Sequence, residues 1–190
     1  MAIYTRGGDD GSTSGADGRR VPKSGPTVRA MGAVDELASM IGLCRAACGR
    51  GAAEHIAGEL ERIQGEAMAV CGILAGATGG LDSCRLGTER LERLIDASEG
   101  RLARLTTFIL PGGCELACRL NVARAVCRRA EREVVAWAEA RPPAQPEVGA
   151  YLNRLGDALF VLARLANHDA GVEEVARPGG VRHGPEGADG

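Results

Sequence analysis

The fold of this chain is decided by residues 116–137, LACRLNVARAVCRRAEREVVAW. The apolar residues of this stretch recur at alternating four- and three-residue steps, which places them on one face of an α-helix. They are Leu116, Leu120, Ala123, Cys127, Ala130, Val134 and Trp137. An apolar seam with this spacing is typical of helices that cross at shallow angles in a bundle.

Four further segments carry the same helical periodicity. They begin near Pro26, Ile56, Thr88 and Pro146, and the last of them extends to about Ala170. Between the third and fourth helices the segment FILPGG, residues 108–113, interrupts the periodicity with one Pro and two Gly and predicts a loop. Strand signals are weak, since only IYT near the start alternates. The sequence therefore predicts an all-α bundle of about five helices.

The length of 190 residues suits a single domain. We expect a glycine-rich arm over residues 1–25, the helical bundle over 26–170, and a disordered tail over 171–190. A formal net charge of −2 gives no reason to expect a nucleic acid or an acidic membrane as partner. The sequence has neither an apolar run long enough to span a membrane nor a secretory signal, so the cytoplasm is the expected location.

The metal-ligating residue types form no strong site pattern. Cys44 and Cys48, like Cys114 and Cys118, are one helical turn apart and could place two thiolates on one face. Zinc requires four ligands, so these cysteines are interpreted as small, reduced core residues. The three histidines lack the paired ExxH motifs that a ferritin-like di-iron bundle needs.

Polar residues line one side of the fourth and fifth helices, next to the apolar seams. On the fourth helix they are Arg124, Arg128, Glu131 and Arg132, and on the fifth Asn153, Asp157, Arg164 and Asn167, together with Phe160. Two such strips could enclose a polar cleft, or they could be solvated faces with ion pairs along each helix. Helical periodicity leaves both interpretations open.

The arm carries IYTRGGDDGST, residues 3–13, followed by Lys23. Glycines allow backbone amides to turn toward an anion, while hydroxyl and basic side chains add donors and charge. The arm could therefore wrap a polyphosphate, although it is not a Walker A loop and a flexible leader without a ligand has the same composition.

Five motifs in this order and spacing resemble the PduO-type ATP:cob(I)alamin adenosyltransferases. They are IYTRGGDDGST, VDEL at 34–37, FILPGG at 108–113, ARAVCRRAER at 123–132, and YLNRLGDALFVLARLAN at 151–167. The resemblance covers most of the chain. It implies a ferritin-like five-helix subunit, a homotrimer with active sites at the subunit interfaces, and three ligands: ATP, Mg²⁺ and cob(I)alamin.

The resemblance also implies roles for individual residues. Those that would hold the triphosphate and its Mg²⁺ are Thr5, Arg6, Gly8, Asp9, Gly11, Thr13 and Lys23, with further ATP contacts from Arg128, Glu131 and Asn153. Asp35 and Arg124 would form an ion pair across the interface, and Phe108 would cover the lower face of the corrin. Without the resemblance, residue type alone favours ordinary core packing for Phe108. No protein side chain is expected to hold the metal, because Mg²⁺ would bind through the phosphates.

The implied activity transfers the 5′-deoxyadenosyl group of ATP to the cobalt of cob(I)alamin. Cob(I)alamin is itself a strong nucleophile, so no nucleophilic side chain is required. The alternative is a carrier that delivers adenosylcobalamin to a dependent mutase or dehydratase. A flavoprotein reductase and a cobalamin-dependent enzyme are the protein partners that the resemblance allows. The sequence departs from the family pattern at Arg6, Gly7, Thr27, Arg29 and Gly156, which affects the expected affinity rather than the expected activity.

Overall fold

The computed structural model of the protein describes residue 4 and residues 6–15, 17–49, 53–76, 86–140 and 146–177. Within them lie five α-helices. These are α1 (Pro26–Ala47), α2 (Glu54–Ala75), α3 (Thr88–Glu99), α4 (Glu115–Glu139) and α5 (Pro146–Asp169). The predicted five-helix architecture is confirmed.

The helix ends have local causes. Pro26 lies in the first turn of α1, where its fixed φ suits the helix and its missing N–H is not needed. α2 ends at Gly76, whose left-handed backbone (φ +79°) reverses the chain, as glycine does at many helix C-termini. The start of α1 at Pro26 agrees with the position at which the sequence pattern begins.

The apolar seams meet in one core. α4 packs against α1 and α5, α1 against α2, and α3 against α5. Every residue of the α4 seam is buried, from Leu116 to Trp137, as are the seam residues of α5. Outside this core, ion pairs join α1 to α4, including Arg29 Nη2 to Glu133 Oε1 at 2.8 Å.

One polar network lies inside the bundle and ties α2, α3 and α5 together. The hydroxyl of the fully buried Tyr151 donates to Glu66 Oε2 at 2.8 Å, and Arg90 Nη2 contacts the same oxygen at 2.8 Å. Arg90 also binds Glu59. Burial, followed by the neighbouring Glu66 carboxylate, raises the pKa of Tyr151 far above its usual value. The phenol therefore stays protonated and remains a donor.

The arm contains a short antiparallel hairpin that the sequence pattern did not predict. Strand β1 (Ser12–Ser14) pairs with β2 (Arg20–Pro22), with Thr13 opposite Val21. The turn is closed by Gly15 N donating to Arg19 O at 2.8 Å, and Gly18 has a φ of +76°. Three-residue strands of mostly polar residues carry too little alternation to be recognised.

The segment after α5 also differs from expectation. Residues 171–177, which composition assigned to a disordered tail, lie along the FILPGG loop, with an antiparallel bridge between Ile109 and Ala176. The rest of that predicted tail, residues 178–190, lies outside the described residues. Among the helices that the structure describes, none is both long and apolar enough to cross a membrane.

Candidate functional site

A groove of about 600 Å³ lies between α4, α5 and the loop before α4. It is lined by Leu105, Thr106, Thr107, Phe108, Ile109, Arg124, Arg128, Gly156, Asp157 and Phe160. The two predicted polar strips thus contribute to one groove, rather than forming only solvated faces. Residues 105–107 were not predicted, and their only signal was proximity to FILPGG, the predicted loop that contains Phe108 and Ile109.

Two arginines of α4 enter the groove. The Arg124 guanidinium lies over the Phe160 ring, 5.7 Å from its centroid, and its Nε is buried without a hydrogen-bond partner in the described part of the chain. Arg128, one turn further on, is exposed, and its guanidinium makes no hydrogen bond or ion pair with any described residue. Both groups are therefore positioned to bind an anion.

Polar side chains of α4 and α5 pair next to the groove lining, which itself includes Asp157. Asn153 Nδ2 donates to Glu131 Oε1 at 3.0 Å, which joins two of the predicted ATP contacts across the helix pair. Asp157 accepts from Arg154 Nη1 at 3.0 Å. A Cβ added at Gly156 would lie 4.0 Å from Arg128 Cγ, an ordinary contact, so this departure from the family pattern does not relieve a clash.

The loop carrying Phe108 presents an apolar surface to solvent. The Phe108 side chain is 57% exposed, so core packing does not explain it. Leu105 and Leu110 are also exposed. Exposed apolar residues around a groove are typical of a binding surface.

The end of this loop is fixed by α5. Asn167 Oδ1 accepts the backbone N–H of Cys114 at 2.9 Å, and Asn167 Nδ2 donates to Gly112 O at 3.0 Å. Between these residues, Gly113 has a φ of +112°, a conformation that other residues rarely adopt. The loop therefore meets α4 with a defined geometry.

The arm folds its glycine-rich turn around Arg20, which sequence reasoning missed. Arg20 Nη2 contacts Gly7 O and Ser12 Oγ, and it binds Asp10 Oδ1 at 3.1 Å. The hydrogen bonds of the Ser12 side chain and backbone, reinforced by Arg20, lower the pKa of Asp10 below its usual value. Three polar groups of the arm thus contact one guanidinium.

The predicted phosphate-binding residues occupy this turn and the hairpin. Lys23 lies over Gly8, where an added Cβ would be 3.1 Å from Lys23 Nζ. Arg6 has a φ of +59°, which is unusual for a residue other than glycine, and Gly11 has a φ of +82°. Thr13 lies in β1 and Asp9 is exposed, while Thr5 lies outside the described residues.

Two parts of the predicted site are not joined by a hydrogen bond or ion pair between the residues that the structure describes. The hydrogen bonds that the arm makes with other described residues join it to itself or to the first turn of α1. Asp35 is exposed on α1, and the described chain contains no ion pair between it and Arg124. Among the described residues, Arg124 and Arg128 therefore have no hydrogen bond or ion pair with Asp35 or with the arm.

Cys44, Cys48 and Cys127 are buried in the core as predicted, whereas Cys118 is exposed on α4, so the core interpretation is wrong for that residue. Burial raises the pKa of both Cys44 and Cys127 to about 12. Thiols with such values stay protonated at neutral pH and are poor metal ligands. The described residues include no cluster of three or more His, Cys, Asp or Glu side chains arranged to hold a metal ion.

A family model described as Cobalamin adenosyltransferase matches residues 3–166 of this sequence. The chain belongs to the cobalamin adenosyltransferase family. This family match includes the arm, all the helices from α1 to α4, and α5 up to Ala166. All the α4 and α5 residues that line the groove therefore lie within it.

The chain is also similar in sequence to proteins named as corrinoid adenosyltransferases. The Salmonella typhimurium protein named Corrinoid adenosyltransferase PduO is 39% identical over 182 residues, covering 93% of this chain and 53% of that protein. The chain thus spans about half the length of this relative. The Corrinoid adenosyltransferase of Bacillus subtilis is 40% identical over 179 residues, covering 92% of this chain and 91% of the relative.

A solved structure has the same fold. It is a variant of a PduO-type ATP:corrinoid adenosyltransferase from Lactobacillus reuteri, complexed with cobalamin and ATP. It superposes with a TM-score of 0.86 at 31% sequence identity, covering 95% of this chain and 99% of that chain. The cobalamin adenosyltransferase fold therefore extends over nearly the whole of the chain.

Proposed function

We propose that this protein transfers the 5′-deoxyadenosyl group of ATP to the cobalt of cob(I)alamin, releasing triphosphate. The observation that carries the proposal is a single groove lined by Arg124, Arg128 and an exposed aromatic loop residue, Phe108. A groove with both features suits a substrate pair in which one member is a polyphosphate and the other a large, partly apolar ring. Membership of the family supports the same pairing.

The reaction places few chemical demands on the protein. The electron pair of cob(I)alamin forms the cobalt–carbon bond to C5′, the C5′–O bond breaks, and its electron pair leaves with the triphosphate. The protein must align the two substrates and stabilise charge that moves onto the leaving group. This explains a site built from arginines without a nucleophilic side chain.

Arg128 is proposed to bind the phosphates directly. Its guanidinium is always charged and can donate two parallel hydrogen bonds to phosphate oxygens. Glu131 and Asn153, joined at 3.0 Å, would bind the nucleotide beside it. Because these residues lie on two packed helices, their spacing is set before ATP arrives.

The arm is proposed to wrap the triphosphate. Arg6, Lys23 and the backbone around Gly8 and Gly11 bring positive charge and amide donors to one turn. Mg²⁺ would enter bound to the triphosphate oxygens and neutralise part of their charge.

A homotrimer would complete the site. Among the described residues of one subunit, neither Asp35 nor the arm lines the groove, whereas Arg124 Nε is buried and lacks a hydrogen-bond partner. A buried guanidinium nitrogen without an acceptor is unfavourable. Asp35 from a neighbouring subunit would supply the missing acceptor and bring the neighbouring arm toward the groove.

The test is direct. Purified protein is mixed with ATP, Mg²⁺ and chemically reduced cobalamin, and the absorbance change of cobalt–carbon bond formation is followed with time. We expect turnover that depends on both substrates, together with release of triphosphate. Corrinoid binding without turnover would indicate the carrier instead, and the absence of ATP binding would remove the proposal.

Location and protein partners are also proposed. The described cysteines are free thiols, as is usual in a reducing compartment such as the cytoplasm. A flavoprotein reductase that generates cob(I)alamin and an enzyme that consumes adenosylcobalamin are the partners that the reaction requires. Cell fractionation and co-purification under reducing conditions would test these points.

A further inference from the structure

The segment after α5 forms a strap, defined here as residues 172–177, that runs beside the Phe108 loop. Leu110 N donates to Val175 O at 2.9 Å, and Arg177 N donates to Phe108 O at 2.9 Å. The chain reverses direction at Gly171, which has a φ of +66°, and Val172 N then donates to Asn167 O at 2.9 Å. The strap is therefore paired with the very residues that present Phe108.

A buried ion pair anchors the strap to the bundle. Arg164, on α5, is only 6% exposed. Its Nε donates to both carboxylate oxygens of Glu174, at 3.0 and 3.1 Å, and its Nη2 donates to Ala103 O at 2.8 Å. One guanidinium thus binds the strap and the start of the loop at the same time. A charge buried to this degree is strongly destabilising if its partner is removed.

The Phe108 loop is consequently held at three places. Arg164 holds Ala103, the strap holds Phe108 and Leu110, and Asn167 holds the end of the loop at Gly112. Behind the groove, a small cavity of about 30 Å³ includes Arg164 and Glu174 in its lining together with Arg124 and Phe160. The Arg164–Glu174 ion pair therefore lies next to the groove, because the cavity and the groove share Arg124 and Phe160 in their linings.

We propose that Arg164 and Glu174 are positioning residues for the corrinoid: their ion pair holds the strap against the loop and so sets the place of Phe108 in the groove. This inference rests on the proposed function. Neither side chain lines the groove, so the effect passes through the backbone of residues 103–110. ATP, which is proposed to bind Arg128 and the arm, should not depend on the pair.

The test compares Glu174→Gln with Glu173→Gln. Both remove one negative charge from the same segment, but Glu173 is exposed and makes no hydrogen bond or ion pair with a described residue. Hydrogen exchange of the protein without ligands is read by mass spectrometry over residues 103–112. Glu174→Gln should accelerate exchange there, including the Leu110 amide that binds Val175 O, while α1 and α4 keep their protection.

The second readout is kinetic. Glu174→Gln should raise KM for cob(I)alamin by about tenfold, with KM for ATP unchanged, because one charged hydrogen-bonded partner is lost from the corrinoid side only. Arg164→Lys keeps the charge but loses the planar guanidinium that binds Glu174 and Ala103 O at the same time, and it should shift the corrinoid KM in the same direction. Glu173→Gln should match the wild type in both KM values.

The outcomes separate the inference from the proposed function. If the wild-type protein shows no turnover, the proposed function is wrong. If the wild type is active, the variants test only the positioning role of Arg164 and Glu174. Unchanged loop exchange in Glu174→Gln would overturn the anchoring claim. Faster exchange with an unchanged corrinoid KM, or an equal rise in both KM values, would overturn the positioning claim.

Discussion

Asn167 Oδ1 accepts the Cys114 amide at 2.9 Å across the position that a side chain on Gly113 would occupy. A Cβ at Gly113 would lie 2.5 Å from Asn167 Cγ, and the residue has a φ of +112°. We expect Gly113→Ala to lower the free energy of unfolding by about 2 to 4 kcal/mol through overlap and backbone strain. Urea denaturation would measure it. Gly112→Ala is the control, since its Cβ would meet nothing within 4 Å; equal losses would contradict this account.

Arg128→Lys should impair catalysis while leaving the fold intact. The guanidinium is exposed in the groove and makes no hydrogen bond or ion pair with described residues, so its loss should hardly affect stability. An ammonium keeps the charge but cannot bind two phosphate oxygens in parallel, and we expect kcat to fall by about 10²-fold. Steady-state adenosylation measures this, with Arg93→Lys on the exposed face of α3 as the control. A rate near that of the wild type would remove Arg128 from the site.

Asp35→Asn and Arg124→Ala should weaken the same subunit contact. Each variant is compared with the double mutant by sedimentation equilibrium and by adenosylation rate, and we expect strongly non-additive effects because either change alone leaves a charge unpaired. Glu36→Gln is the control, since Glu36 pairs with Arg129 in the same chain. Additive effects at Asp35 and Arg124 would mean that the two residues do not interact.

Gly156→Ala should stabilise α5. Gly156 is buried within the helix, yet the added Cβ would meet only Arg128 Cγ, at 4.0 Å. The gain in helix propensity is about 1 kcal/mol. Thermal and urea unfolding would measure it against Gly65→Ala on α2, where a Cβ also has open space. Destabilisation at position 156 alone would refute this.

Stability should fall as the solution becomes alkaline. Burial raises the pKa of Cys127 from 9.0 to about 12, so between these pH values the unfolded chain loses a proton that the folded chain keeps. The free energy of unfolding therefore decreases as pH rises through this range. Urea titrations at a series of pH values should find a shallower decrease in Cys127→Val, which has no thiol to titrate. Identical slopes would exclude Cys127 as a contributor.

The helices and their buried faces were predictable because helical periodicity is a local property. The seam from Leu116 to Trp137 can be read from spacing alone, and each of its residues is buried. The Pro26 start of α1 and the FILPGG interruption are likewise local signals. The five motifs also identified the family, because they preserve both residue type and order.

The sequence by itself determined which faces are apolar and which residues could bind an anion, since both follow from residue type and helical spacing. Only the tertiary structure decided where each polar residue lies. Asp157 and Arg164 belong to one strip of α5, yet Asp157 lines the groove whereas Arg164 is buried against Glu174. The partner of Arg164 comes from a chain reversal after the helix, and Arg20 likewise gathers groups brought near it by a turn. Such contacts depend on how distant parts of the chain pack together, and the periodicity of residues along one helix carries no information about that packing.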